Sequence, residues 1–502
     1  MSLFPWLTLI IFLPFLGSLL CLAAAHHRPL WCRVIALGAS LADLGLVILL
    51  FFLGLTPVSG PLGTWLLLED YPWIPSLGIS YSLGLDGLSL LLILLTTLLT
   101  VLSVLVSWRA VTERVDFFHF LLLLIESGIL GVFLSVDLFL FYLFWEIQLI
   151  PMFFLVGVWG HTRRLAAALK FFLYTISGSL LMLVALIGLY LLHGGQTGHY
   201  TFSLYELMDT SLPLGTELWL YAAFVLAFAV KVPIVPIHAW LPDTHTEAPT
   251  AGSVILAGLL LKTGAYALVR LAFPLFPEAA GLSAPLLGVL GLAGLFYAAW
   301  LALAQTDVKR LVAYSSIAHM GLIVIGIGVW NLVTLNGAVL QMLNHGLSTG
   351  ALFLMVGMLD ERLGTRNLAE MGGLWGKMPV FSAFFLLFAM SAMGLPGLNN
   401  FVGELLILIG TFQARPVVAI LGFLGMVLTL IYVLRMVQEA LFGEPCTEQH
   451  TWDINLREGI ILSTLALALL FIGLYPQPVL QILGPPLEAL TEPARMLARR
   501  GL

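Results

Sequence analysis

The chain has 502 residues, 60% of them hydrophobic and 10% charged, and its mean hydropathy is +1.05. A soluble fold of this length cannot cover so much apolar surface, so lipid must be part of its solvent. A net charge of -6, no basic arm and no low-complexity tail speak against a nucleic-acid partner.

A membrane span needs about 20 apolar residues. Runs of that kind fall near 3–23, 32–54, 84–107, 117–135, 137–158, 166–192, 217–237, 251–273, 284–305, 311–331, 334–359, 378–411, 416–441 and 458–482. The first has no basic segment ahead of it and is expected to be a retained helix, not a cleaved signal. The seventh carries Lys231 and then Pro233 and Pro236. The twelfth is too long for one straight span and holds Gly394, Pro396 and Gly397 ahead of Asn399 and Asn400. Proline withholds a backbone donor and clashes with the preceding turn, so both segments read as broken helices. A bilayer tolerates the freed carbonyls only beside protein or a wet cavity.

The expected fold is therefore an all-α polytopic membrane protein of about 14 transmembrane helices. Breaks in helices 7 and 12 suggest two inverted five-helix repeats, a plan on which transporters are built. The repeats would cover about 115–275 and 284–441, after N-terminal helices 1–3 in about 1–110 and before helix 14 and a tail in about 455–502. All of 1–502 would form one membrane domain. The stretch 55–83 is the longest outer connection, too short and apolar for a soluble domain.

Orientation follows from basic loops. Arg28 and Arg33 follow the first span, Arg109 and Arg114 the third, and Arg163, Arg164 and Lys170 the fifth. Lys309 and Arg310 follow the ninth, Arg362, Arg366 and Lys377 the eleventh, and Arg457 precedes the fourteenth. Fourteen alternating helices put all of these on one side, expected to be cytoplasmic. The other side holds mostly acids, such as Glu69, Asp70, Glu206, Asp209 and Glu278, with Arg270, Arg415, Arg495, Arg499 and Arg500 as exceptions.

The chemistry-bearing residues lie inside the apolar runs. They are Glu146, Lys231, Lys262 near mid-span, and Glu404 after the second break. A charge at the bilayer centre costs about 2.5–3.5 kcal/mol on insertion scales, so four of them must pair or face water. Burial penalises the charged form of amine and carboxyl alike, which brings both within reach of proton exchange. A Glu146–Lys231 ion pair would hold the lysine charged, and separating the two would release its proton. Helix-stapling pairs are the plainer alternative, but intramembrane ionisable groups default to function.

His319 and His345 are also mid-helix, among Ser315, Ser316, Gln341, Asn344, Ser348 and Thr349. Imidazole can pass a proton through either nitrogen, although a lone buried histidine can also be a satisfied core group. Between two spans, PIHAWLPDTHTEAPTAGS gathers His238, Asp243, His245 and Glu247. The spacing matches no tetrahedral ligand pattern, so a proton entrance or interface loop is expected there and a metal is not. Glu126 and Asp137 could join the network; Asp137 reads equally well as a helix cap. Cys21, Cys32 and Cys446 are scattered, with no CxxC pair, which speaks against a disulfide frame, zinc or an iron–sulfur cluster. There is no nucleotide-binding glycine loop and no catalytic triad.

Several long stretches resemble the antiporter-like subunits of respiratory complex I, the NADH–quinone oxidoreductase. They are GLDGLSLLL, FLFYLFWEIQLIPMFFLVGVWG, KVPIVPIHAWLPDTHTEAPTAGSVILAGLLLKTGAY, DVKRLVAYSSIAHMG and QMLNHGLSTGALFL. The resemblance spans nearly the whole chain. Glu404 stands where other branches of that family carry lysine, which matches the M-type branch, counterpart of mitochondrial subunit 4.

The resemblance implies a proton-translocating membrane subunit driven by quinone reduction elsewhere. Glu146 would tune Lys231, Lys262 would link the halves, His319 and His345 would continue the path, and Glu404 would pass protons outward. It also implies no cofactor in this chain, with flavin, iron–sulfur clusters and quinone in partner subunits. Those partners would include L-type and N-type antiporter-like chains and small membrane subunits. The location implied is a bacterial inner (plasma) membrane, or a thylakoid in cyanobacteria. A subunit of a multi-chain Na+/H+ antiporter or of a membrane-bound hydrogenase is the alternative.

Overall fold

The computed structural model describes residues 4–24, 28–53, 58–60, 63–443 and 452–499. Leu3, Cys446 and Arg500 lie outside the described residues, as do the side chains of Arg495 and Arg499. Among the described residues thirteen helices are long and apolar enough to cross a membrane, and a further apolar segment is split in two. The helices are α1 (Trp6–Ala23), α2 (Pro29–Phe52), α3 (Gly87–Ala110), α4 (Val115–Leu134), α5 (Leu138–Trp159), α6 (Arg164–Thr197) and α7 (Leu214–Lys231). After the short α8 (Trp240–Glu247) come α9 (Thr250–Leu275), α10 (Pro277–Leu303), α11 (Val308–Val329) and α12 (Leu332–Leu363). The split segment is α13 (Pro379–Ala392) and α14 (Asn399–Ala414). The chain then continues with α15 (Pro416–Leu441), α16 (Leu456–Leu474) and α17 (Gln477–Arg499).

Local chemistry sets the starts of these helices. The carboxylate of Asp86 accepts from Ser89 N (2.9 Å) ahead of α3, and that of Asp307 accepts from Lys309 N (2.8 Å) ahead of α11. Asn331 and Asn455 form reciprocal capping boxes at α12 and α16. Such side chains satisfy amides that have no partner in the first turn. Pro29, Pro277, Pro379 and Pro416 open α2, α10, α13 and α15, where a missing N–H costs nothing.

Burial divides the bundle. The most apolar stretches of α9, α11 and α12 are 100%, 94% and 100% buried, against 28% in α2 and 33% in α15. The helices that carry Lys262, His319 and His345 are therefore walled by other helices, while α2 and α15 present leucine and valine outward.

Three features differ from the sequence expectation. The outer connection contains two antiparallel hairpins: β1 (Val58–Gly60) with β2 (Gly63–Trp65), and β3 (Leu67–Ile74) with β4 (Ile79–Leu85). The expected all-α description holds for the membrane spans but not for this cap. Glu69 of β3 ties the cap to the bundle, accepting from Leu7 N (2.7 Å), Thr8 N (3.1 Å) and Thr8 Oγ1 (2.6 Å) at the start of α1. Residues 477–482, read as the end of the last span, begin a separate helix. The span stops at Leu474, and α17 buries Val479, Leu483, Leu487 and Leu490 at helical spacing. Finally, α9 is interrupted by π turns at Leu256–Leu260 and Leu268–Ala272, on either side of Lys262.

Candidate functional site

The two broken helices supply the site. At the first break, Ile234 N bonds back to Ala229 O (2.9 Å), and the carbonyl of Val230 accepts from the Trp240 indole N–H (2.8 Å). A side chain thus satisfies a carbonyl that the Pro233 break leaves over, and Lys231 is held at the end of α7. At the second break, beside Pro396, Gly394 takes φ +73° and Gly397 φ +92°. A Cβ on Gly394 would lie 2.3 Å from Glu404 Oε2, so glycine leaves room for the carboxylate as well as the turn. Reciprocal bonds fasten the start of α14 to α12: Asn344 Nδ2 to Asn399 O (2.7 Å), and Asn399 Nδ2 to Asn344 O (3.1 Å). Asn400 Nδ2 adds a bond to Ser348 Oγ (3.1 Å).

Four of the six residues expected to carry protons form one row. Lys262 Nζ lies 2.6 Å from His345 Nδ1 and also donates to Ala257 O, a carbonyl inside the first π turn. A π turn disrupts the regular carbonyl ladder, and the lysine amine takes up one of its acceptors. The His345 and His319 rings stand 5.5 Å apart. His319 Nδ1 is 3.4 Å from Glu404 Oε1, which also accepts from Gln341 Nε2 (3.3 Å). Lys262 and His345 are fully buried, and His319 and Glu404 nearly so. The Nε2 atoms of both histidines have no partner among the described residues, so each ring keeps one nitrogen free for exchange. Tyr432 of α15 is fully buried, its hydroxyl facing Thr429 and Ser315 and within Coulombic reach of Glu404. It was not singled out in the sequence, where it is one aromatic in the apolar run LTLIYVLRM.

The other two are arranged differently. Lys231 Nζ sits 3.7 Å above the Trp145 ring centroid and 3.4 Å from Trp145 O. Glu146 is within Coulombic reach of it, but among the described residues no Glu146–Lys231 ion pair lies within 4 Å. Glu146 is half-buried, with Oε1 enclosed and unpartnered. No hydrogen bond among the described residues joins Lys231 to Lys262. Gly264 lets α9 press against α7 between them; a Cβ there would lie 3.0 Å from Lys231 Cβ.

Of the remaining candidates, His245 is fully buried with neither ring nitrogen partnered. It is stacked 4.8 Å from Phe353, within Coulombic reach of Lys262, His345 and Lys309. His238 packs edge-on against Tyr297 (5.2 Å) and shares no hydrogen bond with the row. Asp137 caps α5, accepting from Phe139 N (2.9 Å), Leu140 N (3.0 Å) and, from β4, Ser80 N (3.1 Å). Glu126 lies fully buried on α4, where the Thr100 hydroxyl is the one donor facing it among the described residues.

The end of the bundle with the basic loops is a charged surface. Lys170 and Arg310 reach Asp243 (2.7 and 3.5 Å), Lys309 Nζ donates to Ala248 O (2.5 Å), and Arg366 Nη1 donates to Thr246 O (2.7 Å). A cavity of about 350 Å³ opens there among Arg163, Lys170, Asp243, Glu247 and Arg310. Burial, and then the charges of Lys309 and Arg366, hold the His161 imidazole below its usual value, so it is neutral in this basic setting. Among the described residues no group of three or more His, Cys, Asp or Glu side chains is arranged to hold a metal. Cys21 and Cys32 exchange thiol-to-carbonyl contacts of 3.5 and 3.6 Å across α1 and α2.

Residues 135–431 match the family described as NADH:quinone oxidoreductase/Mrp antiporter, TM. The chain is 48% identical to a protein of Pseudomonas aeruginosa over 487 residues, covering 95% of each, and 46% identical to one of Escherichia coli (strain K12) over 492 residues, again 95% of each. Both relatives carry the name NADH-quinone oxidoreductase subunit M. In structure it is similar to a chain of respiratory complex I from Thermus thermophilus with bound NADH. That match has a TM-score of 0.88 and 33% identity, and covers 97% of this chain and 99% of that one. A chain of the Mrp complex from Dietzia sp. shares the fold at a TM-score of 0.86 and 22% identity, covering 98% of each.

Proposed function

The chain belongs to the NADH:quinone oxidoreductase/Mrp antiporter membrane family, and within it to the M-type subunits of NADH-quinone oxidoreductase; on that premise we propose which residues move its protons. It is a proton-translocating membrane subunit of complex I. Protons pass along Lys262, His345, His319 and Glu404. The observation that carries this reading is the close succession of those four side chains through the most buried helices.

Each member of the row can hold or release a proton, and its neighbour can receive it. Lys262 gives its proton to His345 Nδ1. The two imidazoles relay it, taking it on one nitrogen and giving it from the other. Glu404 receives it beside the second helix break, where Gln341 and Tyr432 bound the carboxylate. His245, enclosed between Lys309 and the Lys262–His345 pair, is the entrance from the basic end.

Glu146 and Lys231 form the switch. With the two drawn together, the lysine stays charged over the Trp145 ring; with them apart, the uncompensated buried charge favours release of the proton. The partly exposed position of Glu146 lets a neighbouring chain alter that balance.

The catalytic role is that of a translocase subunit. We assign electron transfer, with its flavin, clusters and quinone, to other chains of the complex; the L-type and N-type antiporter-like subunits and small membrane subunits are the neighbours in the membrane. The breaks at 232–239 and 393–398 support reading 115–275 and 284–441 as inverted repeats. The basic loops support a multi-pass place in the bacterial inner membrane with that end in the cytoplasm, or in a thylakoid for a cyanobacterial source.

The test is the assembled complex in sealed vesicles. Glu404→Gln and Lys231→Ala should assemble, yet each should slow NADH-driven proton uptake by on the order of a hundredfold, as loss of a positioned proton carrier does. Normal uptake in both variants would remove the assigned roles. Sodium flux driven by a pH gradient, without NADH-oxidising partners, would favour the antiporter alternative.

A further inference from the structure

A second set of buried polar side chains lies apart from the row, on the less buried flank of the molecule. Asp43 of α2 and Glu126 of α4 are both fully buried; among the described residues no donor reaches the Asp43 carboxyl, and the Thr100 hydroxyl is the one donor facing Glu126, outside close hydrogen-bond geometry. The two helices pack together, and the carboxyls lie within Coulombic reach of one another. Two neighbouring carboxylates with no cation and at most one hydroxyl to face repel each other across an apolar medium. One proton shared between them removes the repulsion and supplies the missing donor.

The groups around the pair extend in two directions. Toward the basic end, His119 precedes Glu126 by two helical turns on the same helix, about 10 Å away at 1.5 Å per residue. Its Nδ1 lies 2.7 Å from Val115 O and its Nε2 has no partner. Arg33, at the start of α2, is within Coulombic reach of His119 and donates to Val111 O (3.0 Å). Toward the interior, a Cβ at Gly128 on α4 would lie 3.3 Å from Gln148 N. Gln148 is fully buried, with both amide atoms unpartnered, two residues past Glu146 on α5.

The other packed elements add little charge. α3 presents Thr100, whose hydroxyl donates to Thr96 O (3.0 Å) and also faces the Glu126 carboxyl, and Ser103, whose hydroxyl is unpartnered among the described residues. Ser127 of α4 donates to Ile11 O of α1 (2.8 Å), and α1 has no ionisable side chain except Cys21. Lys262 lies on the part of α9 that touches α4, and Asp116 opens α4. No cation among the described residues is paired with Asp43 or Glu126.

We propose that Asp43 and Glu126 share a proton between α2 and α4 and deliver it by way of Gln148 to Glu146, so that the Glu146–Lys231 switch has its own proton supply, separate from the Lys262–Glu404 row. The inference rests on the proton-translocating reading. It accounts for a gap in that reading: no hydrogen bond among the described residues links Lys231 to Lys262, so the switch needs another source.

The test uses the assembled complex in vesicles, with proton uptake and the infrared absorption of protonated carboxyls as readouts. Asp43→Asn and Glu126→Gln keep the side-chain shape and remove the shared proton. Each should slow uptake by on the order of tenfold or more, and each should lose the same deuterium-sensitive carboxyl band. The double variant should be no slower than the slower single one, because the pair acts as a unit. Glu126→Asp disturbs packing more but keeps a carboxyl, and it should pump near the wild-type rate. Normal uptake in Asp43→Asn and Glu126→Gln, or a slow Glu126→Asp beside a fast Glu126→Gln, would overturn the proposal. Lys262→Ala separates the two readings. If it stops uptake while the flank variants do not, the row stands and the second supply falls. If all three pump normally, both fall.

Discussion

Lys231, Lys262, His319, His345 and Glu404 were legible in the sequence because each breaks an apolar run, and a lone ionisable group in such a run must be accommodated by something. The structure brings four of the six expected proton carriers into one row and holds Glu146 and Lys231 beside Trp145. Asp43 breaks its run in the same way, within ASLADLGLV, and was passed over because nothing near it in sequence suggested a partner. The partner proposed for it, Glu126, lies 83 residues later on a helix that packs against α2. Gly394 carries the sharpest local test. Gly394→Ala imposes a left-handed conformation that costs a non-glycine residue about 1–2 kcal/mol, and its methyl would press on Glu404 Oε2. The variant complex should assemble with reduced thermal stability and slowed proton uptake. A Gly394→Ala complex with wild-type uptake would show that the Glu404 position tolerates displacement.

At the level of elements, spans were legible from length and apolarity, and their starts from Asp, Asn and Pro. The helix breaks followed from proline and glycine chemistry. What filled the breaks was not legible. The bond from Trp240 to Val230 O and the reciprocal Asn344–Asn399 pair join residues by tertiary geometry. The π turns around Lys262 have no period that a short apolar run could reveal. The β hairpins escaped notice because Gly- and Pro-rich chain at a membrane surface reads as loop, and α17 because its apolar face continues the hydropathy of the span before it. Trp240→Phe tests the first break. It keeps the aromatic body and removes the N–H, leaving the Val230 carbonyl without its donor at a cost of about 1–3 kcal/mol. The solubilised complex should melt at a lower temperature, and uptake should slow because Lys231 sits one residue away. An unchanged melting temperature would mean that water replaces the indole at no cost.

The whole molecule is a bundle whose centre differs from its flanks. Nearly all of α9, α11 and α12 is buried, so the Lys262–Glu404 row is shielded from lipid on all sides, whereas Glu146 sits half-buried where another chain can reach it. That division suits a subunit whose switch answers to a neighbour and whose conduit does not leak. The central claim is that protons cross through the row. The most direct measurement is NADH-driven proton uptake by sealed vesicles carrying the complete complex with Lys262→Ala, alongside electron transfer to quinone in the same preparation. Uptake should fall by on the order of a hundredfold in a complex that still assembles, and wild-type uptake from an assembled Lys262→Ala complex would contradict the account.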